Sequence, residues 1–439
     1  MVQIIKENET VERYGAMFDV YANRLNGQRD TPYFKLRQDA MAKLRAVGFP
    51  KRKDEDYKYT NLTQLLSIPF QSPSPQKETA AELPGIVDDA IHIYFHNGRL
   101  DEAKSDLNAL PDGIHILTIE DALKDPSLSD RVMAALEEII SEQTSAFTLL
   151  SVAFAQGIVC KVDTDTSITR PIQVIYESNI SDDVKMMTAQ LSLFFIESGA
   201  NCQSIELGLG RGSDNTYFQN IYNRVYLEQN ARLSMHRWQE ESQQGHVIST
   251  TEVKQAKGST FSHLTVDIGG KLIRNNVYAT HEGEQVNTNL YGVYLAKGER
   301  QHIDNQTFID HAKPHCLSNE LYKGIVDNYS KAVFNGKVIV RPDAQKINAF
   351  QQNASLLLSD HARVDSKPQL EIFADDVKCS HGATIGQLDE QALYYLMTRG
   401  LPELTAKKML QSAFLHEVFT DFDESPIVDA FVKKLQQHL

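Results

Sequence analysis

Cysteine is scarce and unclustered in this sequence. Its four thiols, Cys160, Cys202, Cys316 and Cys379, are spread over 439 residues with no Cys-x-x-Cys among them. That spacing excludes a locally built zinc ribbon, and in a long chain it favours reduced thiols over a disulfide framework. Basic residues are outnumbered: a formal charge of −14 and a pI near 5.5 argue against nucleic acid or an anionic membrane as the main partner. Long apolar runs are missing too. The longest uncharged stretch, Gln143 to Cys160, reads as a buried helix passing into a strand and is too short and polar to span a bilayer. The N-terminus lacks a basic segment followed by an apolar core, so no secretory signal is read there and a cytoplasmic protein is expected.

Nucleotide motifs are also lacking. Gly208-x-Gly210-x-Gly212 has neither the lysine and Ser/Thr of a phosphate-binding loop nor the glycine spacing of the dinucleotide fingerprint. Gly269-Gly270-Lys271 lacks the Ser/Thr that would hold magnesium, and both stretches read as turns between strands. Any ATP used must therefore be hydrolysed by a partner.

The chain is too long for one ordinary core, so two or three domains are expected. Residues 1–150 read as an N-terminal helical and mixed domain. Gly48-Phe49-Pro50 ends a helix, a polar proline-bearing linker covers about 73–85, and a strand around Ile91 to Phe95 precedes the turn Asn97-Gly98. Residues 151–388 read as a β core of short alternating runs, among them "SLFFIES", "FSHLTVDI" and "KAVFNGKVIV", with too few helical gaps for βαβ crossovers. A β-solenoid, a barrel or a double sandwich would each fit. Asn and Gln recurring near turns, such as Asn305, Gln306, Gln351 and Asn353, favour the solenoid. Residues 389–439 return to helix: Asp389 caps one, Gly400 stops it, and Ser425-Pro426 opens the last, whose Ile427, Val428, Phe431, Val432 and Leu435 share one face.

Three groups of residues could carry chemistry. His302, His311 and His315 crowd beside Cys316, but Pro314 breaks the helix that a His-x-x-x-His site needs, so turn and surface histidines are expected. Asp375-Asp376 could be the paired carboxylates of a carbohydrate-active β-helix enzyme, although adjacent strand residues point to opposite faces. Cys379 and His381, two apart, project from one face of a strand and offer one thiolate and one imidazole.

The surrounding text sharpens the last of these. Phe334-Asn335-Gly336, Ala344-Gln345, Leu356 to Leu358, Pro368-x-Leu370-Glu371-Ile372, Asp375 to Gly386 and Tyr395-Leu396-x-x-Arg399-Gly400 occur in order within one run. With Gly48 to Leu62 and Gly298 to Thr307, this text closely resembles the SufB/SufD family of iron–sulfur cluster assembly scaffolds. Tyr57 stands where that family usually has tryptophan. Gly382 replaces the glutamate of SufB-type chains, and Ala362 lies in the segment where those chains carry a cysteine, so the sequence is similar to the SufD type.

The resemblance implies a right-handed parallel β-helix between helical domains, and a non-catalytic scaffold subunit in place of an enzyme. It implies pairing with a SufB-like subunit, a homodimer being an option in isolation, and docking of a SufC-like ABC ATPase on residues 389–439. The cargo would be a nascent iron–sulfur cluster, shared with the partner, with His381 and Cys379 as metal ligands. ATP would enter only through the partner ATPase. Flavin use by the assembled complex is suggested by the family, although the sequence carries no flavin motif.

Overall fold

The computed structural model describes residues 7–25, 31–72, 85–108, 110–142, 145–154, 156–179, 184–212, 216–422 and 425–439. Most of the linker expected over 73–85 lies outside them. From Gln156–Val162 to Val377–Gly386, successive strands alternate between two sheets, one of ten strands and one of nine, in which next-but-one strands pair in parallel. This is a parallel β-solenoid, the first of the three architectures that the strand texture allowed. Each coil takes about thirty residues: Leu272 pairs with His302, His302 with Lys331, and Lys331 with Arg363, steps of 30, 29 and 32. The period escapes sequence inspection because what repeats is backbone geometry.

One corner makes this explicit. Asp165, Gly199, Asn230, Gly258, Gln285, His315 and Lys346, one per coil, all have φ between 54° and 72° or close to it: 55°, 71°, 60°, 70°, 60°, 61° and 59°. The N–H of each reaches a carbonyl of the next coil, as in Gly199 to Gln229, Gln285 to Pro314 and Lys346 to Asp376. Left-handed backbone turns the chain here, and five of the seven positions bear side chains other than glycine, the inter-coil bonds offsetting the strain. His315 is thus a corner residue, exposed as expected.

Gly208 and Gly210 depart from the turn reading. Both lie inside the strand Asn201–Arg211, where a Cβ on Gly210 would meet the Tyr217 hydroxyl at 2.0 Å and one on Gly208 the Glu241 carboxyl at 2.8 Å. They are glycines because the neighbouring coil crowds them. Gly269 and Gly270, with φ of 77° and 71°, do make a turn. The Asn and Gln residues likewise lie within strands. Asn275 stacks on Asn305 and donates to its Oδ1 at 3.1 Å, while Asn335 donates to Gln306 Oε1 at 2.7 Å.

Helices cover both outer faces. On the nine-stranded sheet, Tyr33, Phe34 and Met41 of the helix Pro32–Val47 and all of Ala146–Phe154 pack with Phe195, Phe218 and Tyr222. The segment Gly48 to Leu62 is fastened there by ions. Arg274 bonds Asp304 at 2.5 Å and lies 4.0 Å over the Tyr57 ring, and Thr60 donates to the same carboxylate at 2.5 Å. On the ten-stranded sheet, Ile427, Val428, Phe431 and Leu435 of Pro426–Gln436 pack against Trp238 and Val293, with Phe431 edge-on to Trp238 at 5.3 Å. The apolar face read from the sequence is thus absorbed within the chain. Among the described residues no helix is long and apolar enough to cross a membrane, which says nothing of barrels.

Candidate functional site

The strand Val377–Gly386 is the outer edge of the ten-stranded sheet, paired on one side only, with Ile347–Leu357. In that register Cys379 lies opposite Ala349 and His381 opposite Gln351. Period-two alternation puts the two side chains on the inward face, as expected, since Cys379 packs at the end of the interior core with Val364, Leu370 and Val377. The last coil has no coil beyond it, so this interior face is open at the end. Cys379 is half-buried and His381 exposed. Burial pushes the Cys379 thiol above its usual range, partly offset by a hydrogen bond with the backbone of Ala349.

Behind His381 the inward column runs through Gln351 to Glu320. Glu320 is buried and accepts from Thr307 at 2.8 Å and from Gln351 Nε2 at 3.0 Å, and its other oxygen has no protein partner. Desolvation drives its carboxyl up to about 7. Beyond Glu320 the column turns apolar at Leu290, and other polar groups lie elsewhere in the interior: Asp267, pushed up to about 6 by burial, accepts from Asn275 at 2.8 Å, and Glu206 accepts from Asn223 at 2.8 Å and Arg237 at 3.3 Å. The solenoid interior therefore combines an apolar lining with buried polar groups, two of which, Gln351 and Glu320, lie under His381. Sequence patterning could not locate these groups, because both faces of these strands are buried and polar residues fall on either.

An open cleft of about 470 Å³ at the edge of this strand is lined by His381 itself together with Ser380, Gly382, Thr384, Phe350 and Asp421. Gly382 has no heavy atom within 4 Å of where a Cβ would lie, so nothing steric requires glycine there. Asp375 and Asp376 are exposed in the bend before the strand, and the amide of Asp376 donates to Gln345 Oε1 at 2.9 Å. They belong to a corner of the coil, where the Asp376 carbonyl accepts from the amide of Lys346. Ala362 is buried in the turn before the strand Arg363–Ile372.

The histidine-rich stretch splits three ways. His302 hydrogen-bonds Thr60 at 2.8 Å on the outer face, His315 turns the corner, and His311 points inward, fully buried. Beside His311 the fold brings His281, its ladder partner from the previous coil, together with Cys316. Sequence reasoning missed His281 because it lies thirty positions away, at a distance that only the coil length explains. Among the described residues this is the one set of three His, Cys, Asp or Glu side chains whose ligand atoms converge; Cys379 and His381 have no third such neighbour. Cys160 and Cys202 are buried in the first coils, the burial pushing Cys202 up to about 12.

Comparison with known proteins agrees with this geometry. The family model of the SUF system FeS cluster assembly, SufBD core domain, matches residues 179–414, and that of the SufBD protein N-terminal region matches residues 8–174. The iron–sulfur cluster assembly SufBD family protein of Synechocystis is 31% identical over 418 residues, covering 92% of this chain and 90% of its own. The iron–sulfur cluster assembly protein SufD of Escherichia coli is 29% identical over 410 residues, covering 92% of each. Protein ABCI7, chloroplastic, of Arabidopsis thaliana is 30% identical over 411 residues, covering 91% of this chain and 84% of its own. With both halves of the chain matched and the solenoid core in place, the chain belongs to the SufBD family of iron–sulfur cluster assembly proteins.

Proposed function

We propose that the chain is a SufD-like, non-catalytic scaffold subunit that pairs with a SufB-like subunit through the open end of its solenoid. At that end His381, with Cys379 in support, contributes ligands to a nascent iron–sulfur cluster or its iron. The observation that carries the reading is the uncovered last coil, whose inward face presents an imidazole and a thiol without a third ligand. A cluster bound by four ligands of one chain would be held too firmly to hand on, whereas two from each of two chains can part. Both terminal strands also leave a row of backbone N–H and C=O groups unpaired, a template for strands of a second chain. A second copy of this chain could use the same edges, which gives the homodimer its place in isolation.

The ATPase belongs on the C-terminal helices. Tyr394, at 70% exposure, and Tyr395 and Met397 from Glu390–Thr398, with Leu404 at 68% and Met409 from Glu403–His416, form an exposed apolar set on two helices in mutual contact. Such exposure supports docking of a SufC-like ABC ATPase, through which alone ATP enters. Flavin in the assembled complex and a cytoplasmic location are the remaining parts of the proposal.

The test is His381→Ala, reading complex assembly by native mass and cluster formation by iron and sulfide content after reconstitution. Intact assembly with lost cluster is the expected result; unchanged cluster formation rules His381 out.

A further inference from the structure

A second metal-ligating set lies inside the solenoid, at the corner after the strands Leu272–His281 and His302–His311. His281 and His311 are stacked ladder partners with ring centroids 4.4 Å apart and planes at 84°, and both are fully buried. Cys316, also buried, follows the left-handed corner residue His315 and brings its Sγ to them; the three ligand atoms lie within 4.8 Å of one another.

The hydrogen bonds fix which nitrogens are free. Thr288 donates its hydroxyl proton to Gln255 Oε1 at 2.5 Å, so at His281 Nε2, 2.8 Å away, it must accept. His281 therefore carries its proton on Nε2, and its Nδ1 presents a lone pair that no protein group meets. His311 stands one coil on with Nε2 2.9 Å from the Ser318 hydroxyl and Nδ1 without a partner; with Ser318 accepting at Nε2, as Thr288 does, that Nδ1 presents a second lone pair. Two buried imidazole lone pairs beside a thiol are costly when left unmet. They are also what a metal requires: neutral imidazoles oriented by hydrogen bonds from the far nitrogen.

We propose that His281, His311 and Cys316 form a three-coordinate site for a soft monovalent cation of the Cu(I) class. Two features select it. The donors are two imidazoles and a thiolate with no carboxylate among them, which suits soft ions and not calcium, magnesium or manganese. Charge decides between Cu(I) and Zn(II): a monovalent ion with one thiolate leaves a neutral site in the dry interior, whereas a divalent ion leaves an uncompensated charge there. Binding displaces the Cys316 thiol proton to solvent as the metal–sulfur bond forms, with no change of oxidation state. An ion roughly 2–2.3 Å from each of three donors sets them about 3.5–4 Å apart, so donors up to 4.8 Å apart need draw in by no more than about 1.3 Å. This site is separate from the open end and does not depend on the assignment of His381.

The test uses the full chain carrying Cys379→Ala and His381→Ala, which removes the other thiol and imidazole pair. Cu(I) is delivered anaerobically from a competing chelator. The expected result is one Cu(I) per chain by native mass, an X-ray absorption spectrum with one sulfur and two nitrogen neighbours, and a loss of affinity of at least about 100-fold on adding Cys316→Ser or His281→Gln, the latter keeping a donor for Thr288. Should either addition fail to fold, the otherwise unaltered parent still decides: Cu(I) must protect Cys316 from alkylation. Equal Cu(I) binding with and without Cys316, unprotected Cys316, or Zn(II) held as tightly as Cu(I) overturns the proposal.

Discussion

The two ends of the solenoid are finished in opposite ways. At the N-terminal end the first strands are closed off by antiparallel neighbours: Arg99–Leu100 folds back on Ile91–His96, and Ile114–Thr118 runs against Gln156–Val162. Ile91, Ile93 and Phe95 are buried there. At the C-terminal end, Arg363–Ile372 and Val377–Gly386 stop without a cap, and Phe373, at 60% exposure, and Ile385 face solvent. Open edges of this kind invite pairing, and the N-terminal end finishes in strands of two and five residues whereas the C-terminal end finishes in two strands of ten. The long bare edges, with the thiol and imidazole pair on one of them, are the surface on which the proposed pairing with a SufB-like subunit rests.

Matched truncations sharpen that contrast most strongly. Phe95→Ala, in the closed end beside Tyr176 at 5.4 Å, is expected to cost about 3–5 kcal/mol in denaturant unfolding of the isolated chain. Phe373→Ala, at the open end, is expected to change the same quantity by no more than about 0.5 kcal/mol while weakening assembly with a SufB-like subunit. Equal costs at both ends would mean that the open end is an ordinary surface.

A smaller effect probes the buried carboxyl beneath His381. The Glu320 carboxyl titrates near 7 when folded against 4.5 for an ordinary glutamate, so the folded state holds its proton more tightly. Its contribution to stability is full below pH 4.5 and is lost as the pH rises through 7. Buried histidines such as His236 and His246, lowered to about 4, act in the opposite sense, losing stability as the pH falls. The difference between the chain and Glu320→Gln isolates the carboxyl: its melting temperature should favour the native residue least at pH 8, and the two curves should converge near pH 5. A difference independent of pH would mean that Glu320 is charged in the folded state or ionises as it does when unfolded.

Much of the fold was legible in the sequence because it rests on local chemistry. Asp389 caps its helix, accepting from the amides of Gln391 and Ala392, Gly48 ends another with φ at 72°, and Asn97-Gly98 makes its hairpin turn with both φ values positive. The pairing of Cys379 with His381 followed from strand alternation. What stayed hidden depends on the coil. The corner column mixes Asp, Gly, Asn, Gln, His and Lys, so no residue type marks its period. Gly210 looks like a turn glycine until Tyr217 is stacked against it. His281 joins His311 and Cys316 only through the ladder. That the strand bearing His381 is the last in its sheet is likewise a statement about topology, which the residues of that strand do not encode.

Backbone amide hydrogen exchange, on the isolated chain and on the chain co-purified with a SufB-like subunit, tests the central claim most directly. If the open end is the pairing surface, protection gained in the complex concentrates in Arg363–Ile372 and Val377–Gly386, whose edge amides lack partners in the isolated chain, while Ile91–His96 is unchanged. Protection at Ile91–His96 and Arg99–Leu100 with none in the last two strands would contradict it.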